Sequence, residues 1–357
     1  NVPPPYDSHP NANLMTSKIF AASLIALVAA TTAPAQSDKV TLHDGTVVKD
    51  TKVIAYDVRN LRHKRRGSTE SIPSDQIAKV ELGRFKKVFA RGLRDPGIML
   101  TMAREQLAAK DMVMAQLGFV GAAETYFNYG SPAEAVGALN ELHKSIPEAG
   151  SLPDVHRMKF EYYLGTGPKG VSNALKVAKK YEADAIGGAW PRGFAVEAQF
   201  FQAISTPAAA PEYQTKLRGI VSKARASNPV VGYRANIELA HSLRKTKEVD
   251  EAKRIYDDIA KRDNVDESSR AGAYLGLGQI LYDTGDKEKA REALLLFLRV
   301  RLETRDAWPS LQAEALYSSM QAARKWGGPE SNYIRSRCRR MLLSEYPNSE
   351  WAKQAKN

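Results

Sequence analysis

One cysteine, Cys338, occurs in 357 residues. No intramolecular disulfide can form, and no thiol pair exists to hold zinc. Histidine is also scarce: His9, His43, His63, His143, His156 and His241 are the full set. None sits four residues from another or at a metal-ligand spacing, so the pattern predicts no metal centre. The stretch GTGPKG, from Gly165 to Gly170, lacks the GxxxxGK[ST] spacing of a phosphate loop and follows a helical pattern, so it reads as an interhelical turn. No GxSxG nucleophile elbow is present, and the carboxylates are spread along helix faces without an acid/base pair. These absences predict a protein without a cofactor and without enzymatic activity.

Long apolar runs are equally rare. The clearest, Ile19 to Ala30, is too short for a membrane span, which needs about 20 apolar residues. It follows Met15 and Lys18 and precedes Ala33-Pro34-Ala35, the order of a secretory signal peptide with cleavage near Ala35. The expectation is a bacterial exported chain, periplasmic or extracellular, with residues 1–14 as a non-native or upstream leader and 15–35 as the signal segment. No cysteine follows the apolar run, so a lipoprotein anchor is not expected, and the mature form carries no transmembrane span.

The positive charge is abundant: the formal net charge is +12. The leader and signal segment hold one Lys and one Asp, which cancel, so the excess belongs to the rest of the chain. Long-range attraction then favours anionic partners: acidic proteins, envelope polymers, anionic lipid or nucleic acid. Much of the charge lies in two stretches. One is NLRHKRRGS with the preceding residue, holding Arg59, Arg62, Lys64, Arg65 and Arg66; the other is GRFKKVFARGLRDPGI, holding Arg84, Lys86, Lys87, Arg91 and Arg94.

Residues 36–83 read as a small β-domain. Val40 and Leu42 alternate with polar residues, Asp44-Gly45 supplies a positive-φ turn, and Val47 and Val48 start a return strand. Pro73 ends pairing, Ser74-Asp75-Gln76 turns the chain, and Ile77 to Leu82 forms a last strand. Four or five such strands are marginal alone, which predicts closure into a small barrel or packing on the helices. The basic stretch at 59–68 is expected at the tip of an exposed hairpin. Residues 84–98 form a connector in which Phe85, Val88, Phe89 and Leu93 recur at helical spacing, predicting a short basic amphipathic helix ended by Pro96-Gly97. Its apolar side is read as docking the two domains, with membrane-surface binding as the alternative.

From residue 99 to 357 helical periodicity takes over, in six pairs with short connections that imply antiparallel hairpins: 99–128 with 131–146, 153–164 with 168–182, 192–205 with 210–227, 230–245 with 248–261, 267–284 with 286–302, and 307–326 with 329–346. Two windows repeat: Leu239 and Leu277, Ala240 and Gly278, Ala252 and Ala290, Tyr256 and Leu294 are each 38 residues apart. Small residues on facing helices let backbones approach while the large residue a turn later fills the seam. Cys338, flanked by Arg335, Arg337, Arg339 and Arg340, is either a thiol activated by those cations or a small buried residue of the last hairpin.

Leu277-Gly278, Tyr282, Gly285-Asp286, Ala290 and Leu294 resemble the tetratricopeptide-repeat (TPR) family, as do Ser131 to Ala135 with Leu139 and Pro147, and the ending LLSEYPNSEWAKQA. The period of 38 departs from the family's 34, Lys247 stands where the turn glycine is expected, and 150–230 is degenerate. The segment from Val40 to Leu82 resembles small β-modules that precede repeat domains in exported bacterial proteins and, more distantly, the Sm-like barrel. The resulting fold class is α+β by segments: a β-barrel-like module followed by an all-α TPR-like solenoid of about six hairpins.

The resemblance implies a protein-binding scaffold whose first helices line a concave face. Arg234, Ile237, His241 and Arg244 fall on one face of a first helix, with Gly272, Leu275, Gln279 and Tyr282 as the equivalents in the next repeat. The expected groove wall is mixed basic and apolar, with Arg234, Ile237, His241, Arg244, Gln279 and Tyr282 as partner-binding residues for a protein or peptide, acidic in character. Two alternatives follow from the charge. In the first, the Sm-like module binds RNA through Arg62, Lys64, Arg65 and Arg66, with Tyr56 and His63 as stacking candidates; an exported chain argues against it. In the second, the basic stretches associate with cell wall or anionic membrane.

Overall fold

The computed structural model describes residues 37–89, 92, 95–166, 168–305, 307–347 and 349–356. The leader, the signal-like segment, His9 and Arg91 lie outside these residues, as does the side chain of Lys87.

Five strands open the described chain: β1 (Asp38–Leu42), β2 (Val47–Tyr56), β3 (Asn60–Arg65), β4 (Ser68–Pro73) and β5 (Ile77–Glu81). They form one antiparallel sheet in the order β4-β3-β2-β1-β5. The first half of β2 pairs with β1 (Thr51 opposite Asp38, Val47 opposite Thr41), and its second half pairs with β3 (Lys52 opposite Lys64, Tyr56 opposite Leu61). A ten-residue strand shared in this way must bend, and an irregularity in register between Val53 and Ala55 marks the place. The sheet is therefore curved like part of a barrel, with β4 and β5 as its edges among the described residues. Closure comes from helices: Val40, Val53, Leu61, Ile72, Ile77 and Leu82 share one core with Phe89, Met99, Val113 and Met114.

Helix α1 (Gly83–Phe89) follows β5 directly, and α2 (Pro96–Ala108) and α3 (Met112–Asn128) come next. Phe89 is fully buried and stacks on Phe85 at 4.5 Å, so the apolar side of the connector joins sheet to helices. Pro96 does not end a helix as its position suggested; it opens α2, with Asp95 as N-cap accepting from the Gly97 and Ile98 amides. Proline suits the first helical turn, where its missing N–H is no loss. The segment 99–128 is likewise two helices, broken at Lys110 (φ 61°) and restarted by Asp111, whose carboxylate caps the Met114 amide.

Twelve further helices complete the chain: α4 (Pro132–Ser145), α5 (Leu152–Gly165), α6 (Pro168–Gly187), α7 (Arg192–Ile204), α8 (Glu212–Ser227), α9 (Pro229–Lys245), α10 (Val249–Lys261), α11 (Glu267–Asp283), α12 (Lys287–Glu303), α13 (Pro309–Trp326), α14 (Ser331–Glu345) and α15 (Glu350–Lys356). From α5 onward each helix packs extensively on the next up to α14. In addition α7 touches α9, α9 touches α11 and α11 touches α13, whereas no comparable contact joins α8 to α10 or α10 to α12. The first helices are thus closer together than the second, so the array curves with the first helices inside.

Small residues face large ones both within the α11–α12 hairpin and across to α10, although the large partner of Gly278 is Phe297 rather than Leu294. A Cβ on Gly278 would lie 2.4 Å from Phe297, and one on Gly276 would lie 2.2 Å from Tyr256. Both aromatic rings are buried in the gaps that glycine leaves. Cys338 is buried, and burial pushes its thiol up to about 11, which makes it a core residue rather than an activated thiol.

Candidate partner-binding groove

The β-module is seated on the N-terminal part of the array by several polar clasps. Asp38, buried at the start of β1, accepts the Val53 amide (2.8 Å) and the Gly83 amide (2.9 Å), and Arg84 lies 3.8 Å from it while also pairing with Asp111 on α3. The turn after β2 pairs with the α4–α5 connection: Val58 N–H donates to the Glu148 carbonyl and Gly150 N–H to the Tyr56 carbonyl. Gln116 on α3 donates to that same Tyr56 carbonyl and accepts from the Ser151 amide. Arg59 reaches the Gly188 carbonyl (3.1 Å) and Glu148 (3.6 Å). Arg84 is thus half-buried and engaged by Asp38 and Asp111, whereas Arg59 makes these contacts with its side chain still 46% exposed.

Arg62, Lys64 and Arg66 remain exposed and Arg65 is half-buried; Lys86 is exposed on α1. The tip of the hairpin is Arg66-Gly67, with φ of 49° and 87°, while Arg62 and Lys64 project outward from β3 itself. His63 points the other way. It is 1% exposed, with Nδ1 2.7 Å from Thr51 Oγ1. Tyr56 is turned onto the α4–α5 connection, and burial raises its phenol far above the usual range. Neither residue is placed to stack on a base, which removes the structural support for the RNA alternative.

At the junction of module and array lies a buried charge network. Arg157 on α5 donates three hydrogen bonds of 2.8–3.0 Å to the Glu197 carboxylate on α7 and one of 2.7 Å to Asp154. Tyr181 on α6 donates to the same Glu197 carboxylate (2.7 Å). Burial would raise Glu197, but Arg157 outweighs it and holds the carboxyl below its usual value. The β1–β2 hairpin comes within electrostatic range of this network. His43 there is pushed down to about 4 by burial and by Arg157, with Glu197, Arg234 and Asp266 also in electrostatic range. Farther along the array α9, α11 and α13 lie side by side.

On that stretch the six residues singled out from the sequence fall into three groups. Arg244 pairs with Asp283 at 2.7 Å, and Gln279 donates to the same carboxylate at 2.6 Å, so these two are joined across α9 and α11. Arg234 stacks over Trp308 (4.4 Å to the ring centroid), and Tyr282 lies under the Lys325 ammonium at 4.3 Å. Ile237 is buried and not an open wall residue, and His241 is half-buried. Ile237 is 6% exposed and fills the space beside Gly272. His241 lies 2.8 Å from the Tyr256 hydroxyl through Nδ1, and burial, with Arg244 and Lys245 nearby, pushes it down to about 4, so it is neutral at neutral pH.

Acids that the sequence reading passed over share the inner face. Burial raises Glu161 on α5 and Glu238 on α9, and it raises Glu314 on α13 to about 7 with help from Glu238. The wall is thus mixed in charge rather than basic. These glutamates carried no sequence signal, because their spacing is that of an ordinary helix face until α9 and α13 are brought side by side.

Residues 271–303, spanning α11 and α12, match the family model for the tetratricopeptide repeat. The chain carries a tetratricopeptide repeat. The TPR match coincides with the window that holds Gly278, Gly285, Ala290 and Leu294, and the hairpins on both sides of it stack in the same sense. No curated protein matches the chain. TPR arrays serve in general as protein-interaction scaffolds, and no helix among the described residues is long and apolar enough to cross a membrane.

Proposed function

We propose that this chain is an exported, non-enzymatic scaffold that holds a polypeptide partner against the inner face of its TPR-like array, between α9 and α13. The observation that carries the reading is the side-by-side alignment of α9, α11 and α13 around the matched repeat, with half-exposed Arg234, Arg244, Gln279 and Tyr282 along it. The signal-like segment supports export, and the net charge of +12 supports an acidic partner from the envelope. Arg234 and Tyr282, each part of a cation–π pair, are the anchors this reading gives to the partner. Affinity capture with wild type and with a Tyr282→Ala, Arg234→Ala double variant tests it. The partner is recovered with wild type and lost with the folded variant; equal recovery by both refutes the assignment of the surface.

A second reading applies to the β-module. Lys52 and Lys64 stand directly opposite one another on β2 and β3, and Arg62 projects on the same strand. Like charges in a cross-strand pair destabilise a sheet unless an anion lies over them. This row is suited to an anionic envelope surface. Co-sedimentation with anionic vesicles that weakens steeply with salt supports it, and sedimentation unchanged in Lys64→Glu excludes it.

A further inference from the structure

Three residues that are far apart in sequence converge where α4, α5 and α6 meet: His143 near the end of α4, His156 on α5 and Asp184 on α6. His156 Nε2 lies 3.1 Å from Asp184 Oδ2, and His143 Nε2 lies 3.8 Å from the same oxygen. One donor atom from each residue falls within 4.8 Å of the other two. Donors sharing a tetrahedral Zn2+ at about 2.0–2.1 Å stand about 3.3 Å apart, so small side-chain rotations bring all three onto one ion.

The cluster is built and incomplete. His156 is 2% exposed, yet neither its Nε2 nor Asp184 Oδ2 has a hydrogen-bond partner of acceptable geometry among the described residues. Their 3.1 Å approach is an imidazole–carboxylate contact, and with neutral His156 presenting its Nε2 lone pair the same two atoms can turn onto a shared cation. His156 is also held in place. Its ring stacks on Tyr181 with centroids 4.7 Å apart and planes 7° from parallel, and Tyr181 is fixed in turn by its hydrogen bond to Glu197. His143 meets the His156 ring edge-on at 5.6 Å. Lys180 binds Asp184 Oδ1 at 3.0 Å, which orients the carboxylate and leaves Oδ2 toward the imidazoles. His143 and Asp184 are each about a quarter exposed, so the cluster opens to solvent on one side.

We propose that His143, His156 and Asp184 form a site for a divalent first-row transition-metal ion, with Zn2+ as the best match and a fourth position open to water. Two imidazoles and one carboxylate are a borderline donor set, which favours Zn2+ over Mg2+ or Ca2+. An ion there ties α4, α5 and α6 together at the end of the array where the β-module docks. The site is independent of the proposed partner surface, which lies on α9–α13.

The test is titration of the metal-stripped full chain with Zn2+ by calorimetry, and with Co2+ by visible absorption. Wild type is expected to take up one ion per chain, with Co2+ bands of a four- or five-coordinate centre and a rise in Tm on binding. His143→Ala and Asp184→Asn, at the partly exposed positions, are expected to keep the far-UV circular dichroism of the folded chain. Each should lose affinity on the order of a hundredfold, as expected when one of three ligands is removed. Absence of saturable uptake by wild type overturns the proposal, as does uptake of unchanged affinity by both folded variants.

Discussion

Glu197 illustrates how a single residue in this chain is fixed by its neighbours. It is 2% exposed, and the three elements α5, α6 and α7 each send a group to it or carry it: Arg157, Tyr181 and its own backbone. Removing one partner of such a pair leaves a charge buried without compensation. Glu197→Ala is therefore expected to lower stability by about 3–5 kcal/mol, measured by urea denaturation, whereas Arg218→Ala, which breaks the exposed pair with Glu251, should cost under about 1 kcal/mol. Glu314 gives the titration counterpart. Its folded-state pKa of about 7 lies above the unfolded value near 4.3, so the folded protein holds this proton more tightly. Its stabilising contribution is complete below about pH 4 and is lost as pH rises through about 7. Glu314→Gln, which cannot ionise, should gain about 1–2 kcal/mol relative to wild type between pH 4.5 and pH 8, a figure reduced from the full shift because the carboxyl remains partly hydrated. A stability difference that stays flat across that range would show that the Glu314 carboxyl is not held up by burial, with Glu238 adding to it, as described.

At the scale of elements, the 38-residue correspondence between repeats extends to the backbone. Gly285 turns the chain between α11 and α12 at φ 85°, and Lys247, its counterpart between α9 and α10, sits at φ 69°. A side chain in this left-handed conformation costs roughly 1–2 kcal/mol, so Lys247→Gly should raise the unfolding midpoint. Gly278→Ala should do the opposite, by about 1–3 kcal/mol, because its methyl group meets the Phe297 ring; Gly137→Ala on α4, with open space around it, should be neutral or mildly stabilising. These elements were legible in the sequence because their signals are local. Gly285-Asp286, Ala290 and Leu294 carry spacing and turn chemistry that survive without tertiary context. The break at Lys110 was not legible, since nothing in LAAKDMVM requires the chain to leave the helix until Asp111 caps α3. The groove was only half legible for the same reason. Arg234 and Arg244 share a helix face in any reading, but burial of Ile237 depends on Gly272 from the next repeat. The convergence of His143, His156 and Asp184 depends on how three helices pack, and no spacing in the sequence encodes it.

At the scale of the molecule, the β-module and the array are one structure rather than two beads. A shared core from Val40 to Met114, the Asp38 clasp and the strand-like pairing of Asp57 with Ala149 join them. His43 on the module's β1–β2 hairpin lies in electrostatic range of Arg157 and Glu197 and also of Arg234 on α9, so the module reaches toward the array's charged residues. Asp38→Ala should consequently destabilise sheet and helices together, in a single unfolding transition followed by tryptophan fluorescence and far-UV circular dichroism; two separate transitions would contradict the joint core.

The central claim is that the inner face along α9, α11 and α13 receives a polypeptide. Its most direct test is site-specific photo-crosslinking in the producing cell, with a photoreactive residue placed at Gln279 on the inner face or at Leu302 on the second-helix side of the same repeat. The account predicts a discrete crosslink to another protein from position 279 and none from position 302. Crosslinks of equal yield from both positions, or from 302 alone, would contradict it.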